Sequence, residues 1–218
     1  MGALNEVLPS CYFTLASPLS KKRSNFEAMS NQKTTTKVQF SSQLATCRTL
    51  FEKKLYDYKA SWRALRPSSL TDQILIKALR IRTVSTKGES LVEDSIKDEF
   101  IGIVNYGIIG MIQCELGVAD EVDLSNEEAL QLYDRLADET QELMFRKNHD
   151  YGEAWRKMRI SSFTDIILTK LIRIKQIEDL NEKTKVSEGV VPNYQDIVNY
   201  AIFALIRLEE QNDQVIHD

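Results

Sequence analysis

The chain repeats itself. From Asp57 it reads D-Y-K-A-S-W-R-A-L-R-P-S-S-L-T-D-Q-I-L-I-K-A-L-R-I-R, and from Asp150 it reads D-Y-G-E-A-W-R-K-M-R-I-S-S-F-T-D-I-I-L-T-K-L-I-R-I-K. The two 26-residue stretches align at a constant offset of 93 and are identical at 14 positions. After a slip of one residue, I-V-N-Y ending at Tyr106 recurs ending at Tyr200. Such a chain must build two similar units, each too small to bury much surface alone, so the units are expected to pack against each other. The shared residues are not only apolar. They include Trp62 and Trp155, Arg63 and Arg156, Asp72 and Asp165, Lys77 and Lys170, Arg80 and Arg173, and Asn105 and Asn199. A duplication that drifts freely loses exposed charges first, so their survival points to geometry or chemistry.

The units read as helical. Apolar residues recur at helical spacing, as in Leu70, Ile74, Leu75, Ala78, Leu79 and in Ile101, Val104, Ile108, Met111. Strand-like alternation is not sustained, and only eight Gly and four Pro occur in 218 residues. Ser125 and Glu128 form a capping box for a helix to about Lys147, and Ser69 with Asp72 and Ser162 with Asp165 give start signals for the middle helix of each unit. Gly152 stands where the chain must turn, and Pro192 suits the first turn of a last helix running to about Gln211. Each unit therefore reads as helix, irregular D-Y-x-x-x-W-R corner, helix, polar loop, long helix. The fold expected is all-α, a pseudo-two-fold helix bundle of tandem duplicated units at 41–117 and 125–212, with a tail at 213–218.

Residues 1–40 differ from the rest and are expected to be a disordered or spurious extension, with Met29 as the natural start. They carry a charge balance of +3, leaving −7 for residues 41–218, so general duplex nucleic acid binding is not expected of the acidic body. No apolar run reaches the length of a membrane span. Cys11, Cys47 and Cys114 lack metal-ligand spacing, and their odd number suits a reducing compartment, hence a cytoplasmic location. Whether the chain forms a homo-oligomer is left open.

Three constellations are candidates for chemistry. At the repeated corner, Asp57, Tyr58, Trp62 and Arg63 and their counterparts Asp150, Tyr151, Trp155 and Arg156 are either packing staples or a base-sized pocket with cations facing an anion. On the middle helices, Asp165, Lys170 and Arg173, mirrored by Asp72, Lys77 and Arg80, suit the helix dipole in sign, yet both basic residues also kept their identity, which fits a phosphate-directed role. On the last helix, Asp196, Asn199 and Tyr200 share one face, as do Glu139 and Glu142 on the helix before the corner. Should these faces meet, Glu139, Glu142 and Asp196 would converge on a hard cation such as Mg²⁺; otherwise they are solvated acids. Copy one has Thr46, Thr49 and Gly102 at the matching positions, so either copy two alone holds metal or Glu52, Asp98 and Glu99 substitute from adjacent turns. With only His149 and His217, a histidine zinc cluster is excluded.

At K-N-H-D-Y-G-x-A-W-R, S-S-x-T-D, K-x-x-R-I and D-I-V-N-Y the sequence resembles the nucleotide-modification-associated domain family in its tandem form, over roughly residues 41–212. The order of acids, bases and a late D-x-x-N-Y helix is also similar to MazG-like all-α nucleoside triphosphate pyrophosphatases. The resemblance implies a nucleotide partner, Glu139, Glu142 and Asp196 as magnesium ligands, and Lys170 and Arg173 as phosphate contacts. Asn193 replaces the acid expected three residues before Asp196, which weakens catalysis more than binding. A non-catalytic module binding a nucleotide or protein is the alternative.

Overall fold

The computed structural model describes residues 18–88, 95–180 and 189–217, with side chains for 36–88, 95–180 and 189–212. Met1–Thr36 separates from a compact unit, Lys37–Asp218, which carries both copies of the repeat. The reading of residues 1–28 as an extension before Met29 falls on residues whose side chains lie outside those described. The boundary expected at residue 40 falls within helix α1, Pro18–Tyr58, where Phe40 is fully buried.

The described residues are all-helical. After α1 come a 3₁₀ turn at Ser61–Ala64, α2 (Pro67–Lys87) and α3 (Ile96–Leu116). The second copy repeats this order as α4 (Asn126–Tyr151), a 3₁₀ turn at Ala154–Lys157, α5 (Ile160–Asp179) and α6 (Val190–His217). Local sequence explains most of the boundaries. Ser125 caps α4 and Ser95 caps α3, each in a reciprocal capping box, with Glu128 and with Asp98. The serine start signals of the middle helices act otherwise. α2 and α5 begin at Pro67 and Ile160 with Arg66 and Arg159 in the cap positions and no side-chain cap, so Ser69 and Ser162 lie inside the first turn. In α2 the fixed φ of Pro67 at the first helical position starts the helix without a capping oxygen.

The packing is pseudo-two-fold. α3 packs on α6 and α2 on α5, which pairs equivalent helices, while α2 on α3 and α5 on α6 are the matching contacts within each copy. α1 and α4 flank this central bundle. Arg48 of α1 donates to both oxygens of Asp134 of α4 at 2.6 and 2.9 Å, and at the two counterpart positions Gln141 of α4 donates to Ser41 of α1 at 2.7 Å. The central helices approach closely because α3 is thinned. A Cβ on Gly107 would lie 2.7 Å from Val198, and one on Gly110 would lie 2.8 Å from the buried ring of Tyr194.

The symmetry breaks at one buried pair. Tyr133 of α4 donates its hydroxyl to Asn105 Oδ1 at 2.8 Å, and Asn105 donates to the Cys47 carbonyl at 3.1 Å. The residue equivalent to Tyr133 is Phe40, and the equivalent asparagine, Asn199, is buried with its Oδ1 unpaired. Loss of one hydroxyl accounts for that orphan. A second asymmetry lies at the corner, where Gly152 and its counterpart Lys59 both adopt the left-handed region, at φ 56° and 52°. Glycine is at ease there and lysine is strained.

Two stability measurements probe these asymmetries. In chemical denaturation Tyr133→Phe should cost about 1–3 kcal/mol by orphaning Asn105, while Phe40→Tyr should gain about 1 kcal/mol by supplying Asn199 with a donor; a neutral Tyr133→Phe would contradict the network. Lys59→Gly should stabilise by about 0.5–1 kcal/mol, because relief of left-handed strain exceeds the added flexibility of the unfolded chain.

Candidate functional site

In copy one the corner, α1, α2 and α3 enclose a cavity of about 760 Å³. Its lining residues include the aromatics Phe51, Tyr58, Trp62 and Tyr106, the lysines Lys54, Lys59 and Lys77, and the acids Asp98 and Glu99. Tyr58 is 67% exposed at the mouth, whereas the Trp62 indole is half-buried with its Nε1 donor unpaired. That volume lies within the range of small-molecule sites, and a wall of rings beside amines suits a planar anionic ligand.

Most of the polar groups around the cavity are tied down. Glu99, 6% exposed, accepts from Lys77 at 3.0 Å and from Arg80 at 2.7 Å. Lys77 reaches it by lying across Gly102, where a Cβ would come within 2.7 Å of its Cε. The amide of Asn105 serves Tyr133 and Cys47, so it braces the wall. Asp98 completes the capping box of α3, and the hydrogen bonds from Ser95 hold its carboxyl below the usual range. Lys54 is exposed, and position 102 offers it no carboxylate.

Copy two uses the same scaffold differently. Asp196, at the position of Gly102, accepts from Lys147 at 2.7 Å and from Lys170 at 2.6 Å. Burial pushes its carboxyl up, but the hydrogen bonds from these two lysines outweigh burial and leave it below the ordinary aspartate range. Trp155, 5% exposed and with its Nε1 likewise unpaired, stacks on Phe203 with centroids 4.3 Å apart and an interplanar angle of 8°. Tyr200 and Phe163 join the same aromatic cluster.

The corner arginines turn out to be braces. Arg63, 2% exposed, donates to both oxygens of Asp123 at 2.7 and 2.9 Å, to the Gly117 carbonyl at 2.6 Å and to Gln113. Arg156 lies 4.3 Å over the Trp155 ring and donates to Glu153, Glu210 and Gln39. The anions they face are the protein's own, so neither guanidinium points at a ligand. The two copies retained the residue while its partners changed.

The structure thus gathers some of the candidate residues and separates others. Tyr58, Trp62, Lys77 and Asn105 line one cavity, and Lys170 meets Asp196. Asp57, Asp150, Tyr151, Asp165 and Arg173 are exposed, and Asp72 forms a surface ion pair with Lys175 at 2.7 Å. Glu139 accepts from Arg135 at 3.1 Å, Glu142 is exposed, and among the described residues no three Asp, Glu, His or Cys side chains gather into a metal-sized cluster. The substitutes Glu52, Asp98 and Glu99 are occupied by Arg48, Ser95, and Lys77 with Arg80 respectively. The residues present therefore do not form a three-carboxylate cradle for magnesium. Lys54 and Tyr106 line the cavity without standing among the sequence candidates. Both carry a signal all the same, since Lys54 pairs with Lys147 at the offset of 93 and Tyr106 closes the repeated I-V-N-Y.

Among the described residues no helix is long and apolar enough to cross a membrane. Neither a curated protein nor a solved structure matches the chain significantly. The family model for nucleotide modification associated domain 1 matches twice, over residues 54–114 and 147–208. The two matches cover more than half of the 218 residues, contain both corners and the cavity-lining segments from Lys54 to Ile109, and fall on the two structural copies. The chain belongs to the nucleotide modification associated domain 1 family, in tandem form.

Proposed function

We propose that this protein binds a nucleotide in the copy-one cavity, with the base against Trp62 and the phosphates toward Lys54, Lys59 and Lys77. The observation that carries this reading is the joining of aromatic side chains and lysines around about 760 Å³ of open volume. Base stacking on an aromatic face contributes about 1–3 kcal/mol, and amines at the mouth supply the counter-charge a phosphate needs. Magnesium in this reading arrives on the phosphates, because among the described residues no preformed carboxylate set waits for it.

A magnesium-dependent nucleoside triphosphate pyrophosphohydrolase is the second reading. What favours it is Asp196, a partly buried carboxylate kept ionised on the face of α6 beside Lys170. It would need two further acids to hold metal and direct a water, and Glu139 is engaged by Arg135 while Glu142 is exposed. Binding without turnover is therefore the better-supported function.

Titration with purine and pyrimidine nucleoside 5′-mono- and triphosphates, with Mg²⁺, should quench tryptophan fluorescence and raise the melting temperature. In Trp62→Phe the quench should vanish, and Lys54→Met should bind at least about tenfold more weakly, roughly 1.4 kcal/mol. Absence of both quench and thermal shift across the panel would sink the proposal. Pyrophosphate release from the same panel should be negligible in wild type, Glu142→Gln and Asp196→Asn alike. Release abolished by either substitution would instead establish the hydrolase.

A further inference from the structure

We infer that copy two is a closed replica of the copy-one site, filled by two of its own side chains that stand where the ligand stands in copy one. The chain then takes one nucleotide, not two. This inference rests on the proposed nucleotide binding and adds to it a stoichiometry, a pose and the two residues that decide which copy is open.

The first stand-in is a ring. Trp62 and Trp155 are equivalent, as are Ile109 and Phe203 one helix away. In copy one, Trp62 and Ile109 border open volume; in copy two, Phe203 covers Trp155 at 4.3 Å and 8°, the face-to-face spacing a base adopts on an indole. Replacing isoleucine by phenylalanine puts a planar group at the stacking surface. The ring of a ligand has that surface free only in copy one.

The second stand-in is an anion. Lys147 and Lys170 converge on the Asp196 carboxylate, and their equivalents Lys54 and Lys77 both line the cavity. At that position copy one has Gly102, which brings no carboxylate and lets the Lys77 chain cross where a Cβ would stand. Lys77 turns instead to Glu99, one turn earlier on α3, where copy two has the neutral Asn193. An anionic group of the ligand would therefore sit by the Lys77 chain at the level of Gly102 and give Lys54 the partner that Asp196 gives Lys147, with Lys77 shared between Glu99 and the ligand.

The two stand-ins are spaced like one molecule. Asp196 and Phe203 are seven residues apart on α6, two turns on one face, or about 10 Å along the axis. A planar ring and an anion in line on one helix face stand in the order in which a nucleoside phosphate carries its base and its phosphate. The ligand in copy one is accordingly placed with its ring by Trp62 and Ile109 and its phosphate by Gly102, Lys54 and Lys77.

Equilibrium dialysis of the full chain against the nucleoside mono- and triphosphate panel, at saturation, tests this. Wild type should hold one nucleotide per chain. Gly102→Asp and Ile109→Phe, which write the copy-two residues into copy one, should each weaken binding at least about tenfold while the helical circular dichroism and cooperative melting persist. Asp196→Gly combined with Phe203→Ile should raise the count to two. Two nucleotides per wild-type chain would overturn the inference and leave the nucleotide reading standing, whereas no binding of any panel member would remove both. Undiminished affinity in folded Gly102→Asp and Ile109→Phe proteins would also overturn it, and these variants leave the copy-two core intact should the double variant fail to fold.

Discussion

The close approach of α3 and α6 is the constraint on which the rest depends. Both helices bury a continuous face in the core, Phe100–Ile112 of α3 and Tyr194–Ile206 of α6, so their separation fixes where the flanking helices can lie. Gly107 and Gly110 set it, since Val198 and the Tyr194 ring occupy the space a Cβ would take. Tyr194 in turn hydrogen-bonds Thr71 of α2 at 2.7 Å, which ties the interface to the middle helix of the other copy. Neither copy could hold this arrangement alone, because each lends its last helix to the core of both. A tight interior of this kind transmits a single methyl group as a shift or a strain.

On this common frame the two copies have diverged by small substitutions at symmetric places. Phe40 for tyrosine leaves Asn199 with an orphaned oxygen, and Lys59 for glycine leaves a strained turn in copy one. Gly102 against Asp196 and Ile109 against Phe203 change what fills the space under each corner. The first pair costs stability in each copy; the second pair sets an open lining in copy one against an ion pair and a stacked ring in copy two. Retaining the frame while changing its contents is how a duplicated domain keeps its fold and redistributes its binding capacity.

The fold is largely legible in the sequence because helical periodicity, capping boxes and the repeat are local signals. They suffice for the six helices, both corners and the pseudo-two-fold pairing. They misplace the starts of α2 and α5, because a serine and an aspartate three residues apart resemble a cap wherever they fall, while Pro67 is the better start signal. The site is less legible. Repetition flags Trp62, Tyr58 and Lys77, which line the cavity, but it flags Arg63 and Arg156 equally, and these are braces whose carboxylate partners, Asp123, Glu153 and Glu210, are not repeated. Gly102 and Ile109, which also line the cavity, differ between the copies and so carry no signal where identity is the criterion.

Conservation between the copies therefore has two physical sources that sequence cannot separate. Lys77 and Lys170 keep an amine at the same position because each must neutralise a buried carboxylate, Glu99 in one copy and Asp196 in the other. Removing either partner would strand a charge in a half-buried place, which costs more than the pair ever contributed. The lysine is thus locked by its carboxylate whether or not a ligand is present, and the carboxylate can move by one helical turn without releasing it. That one-turn shift, from position 102 to position 99 in copy-one numbering, leaves Lys54 without the carboxylate that Lys147 has in Asp196. A scaffold requirement preserved the cations, and the acid that each of them answers to differs by one helical turn between the copies.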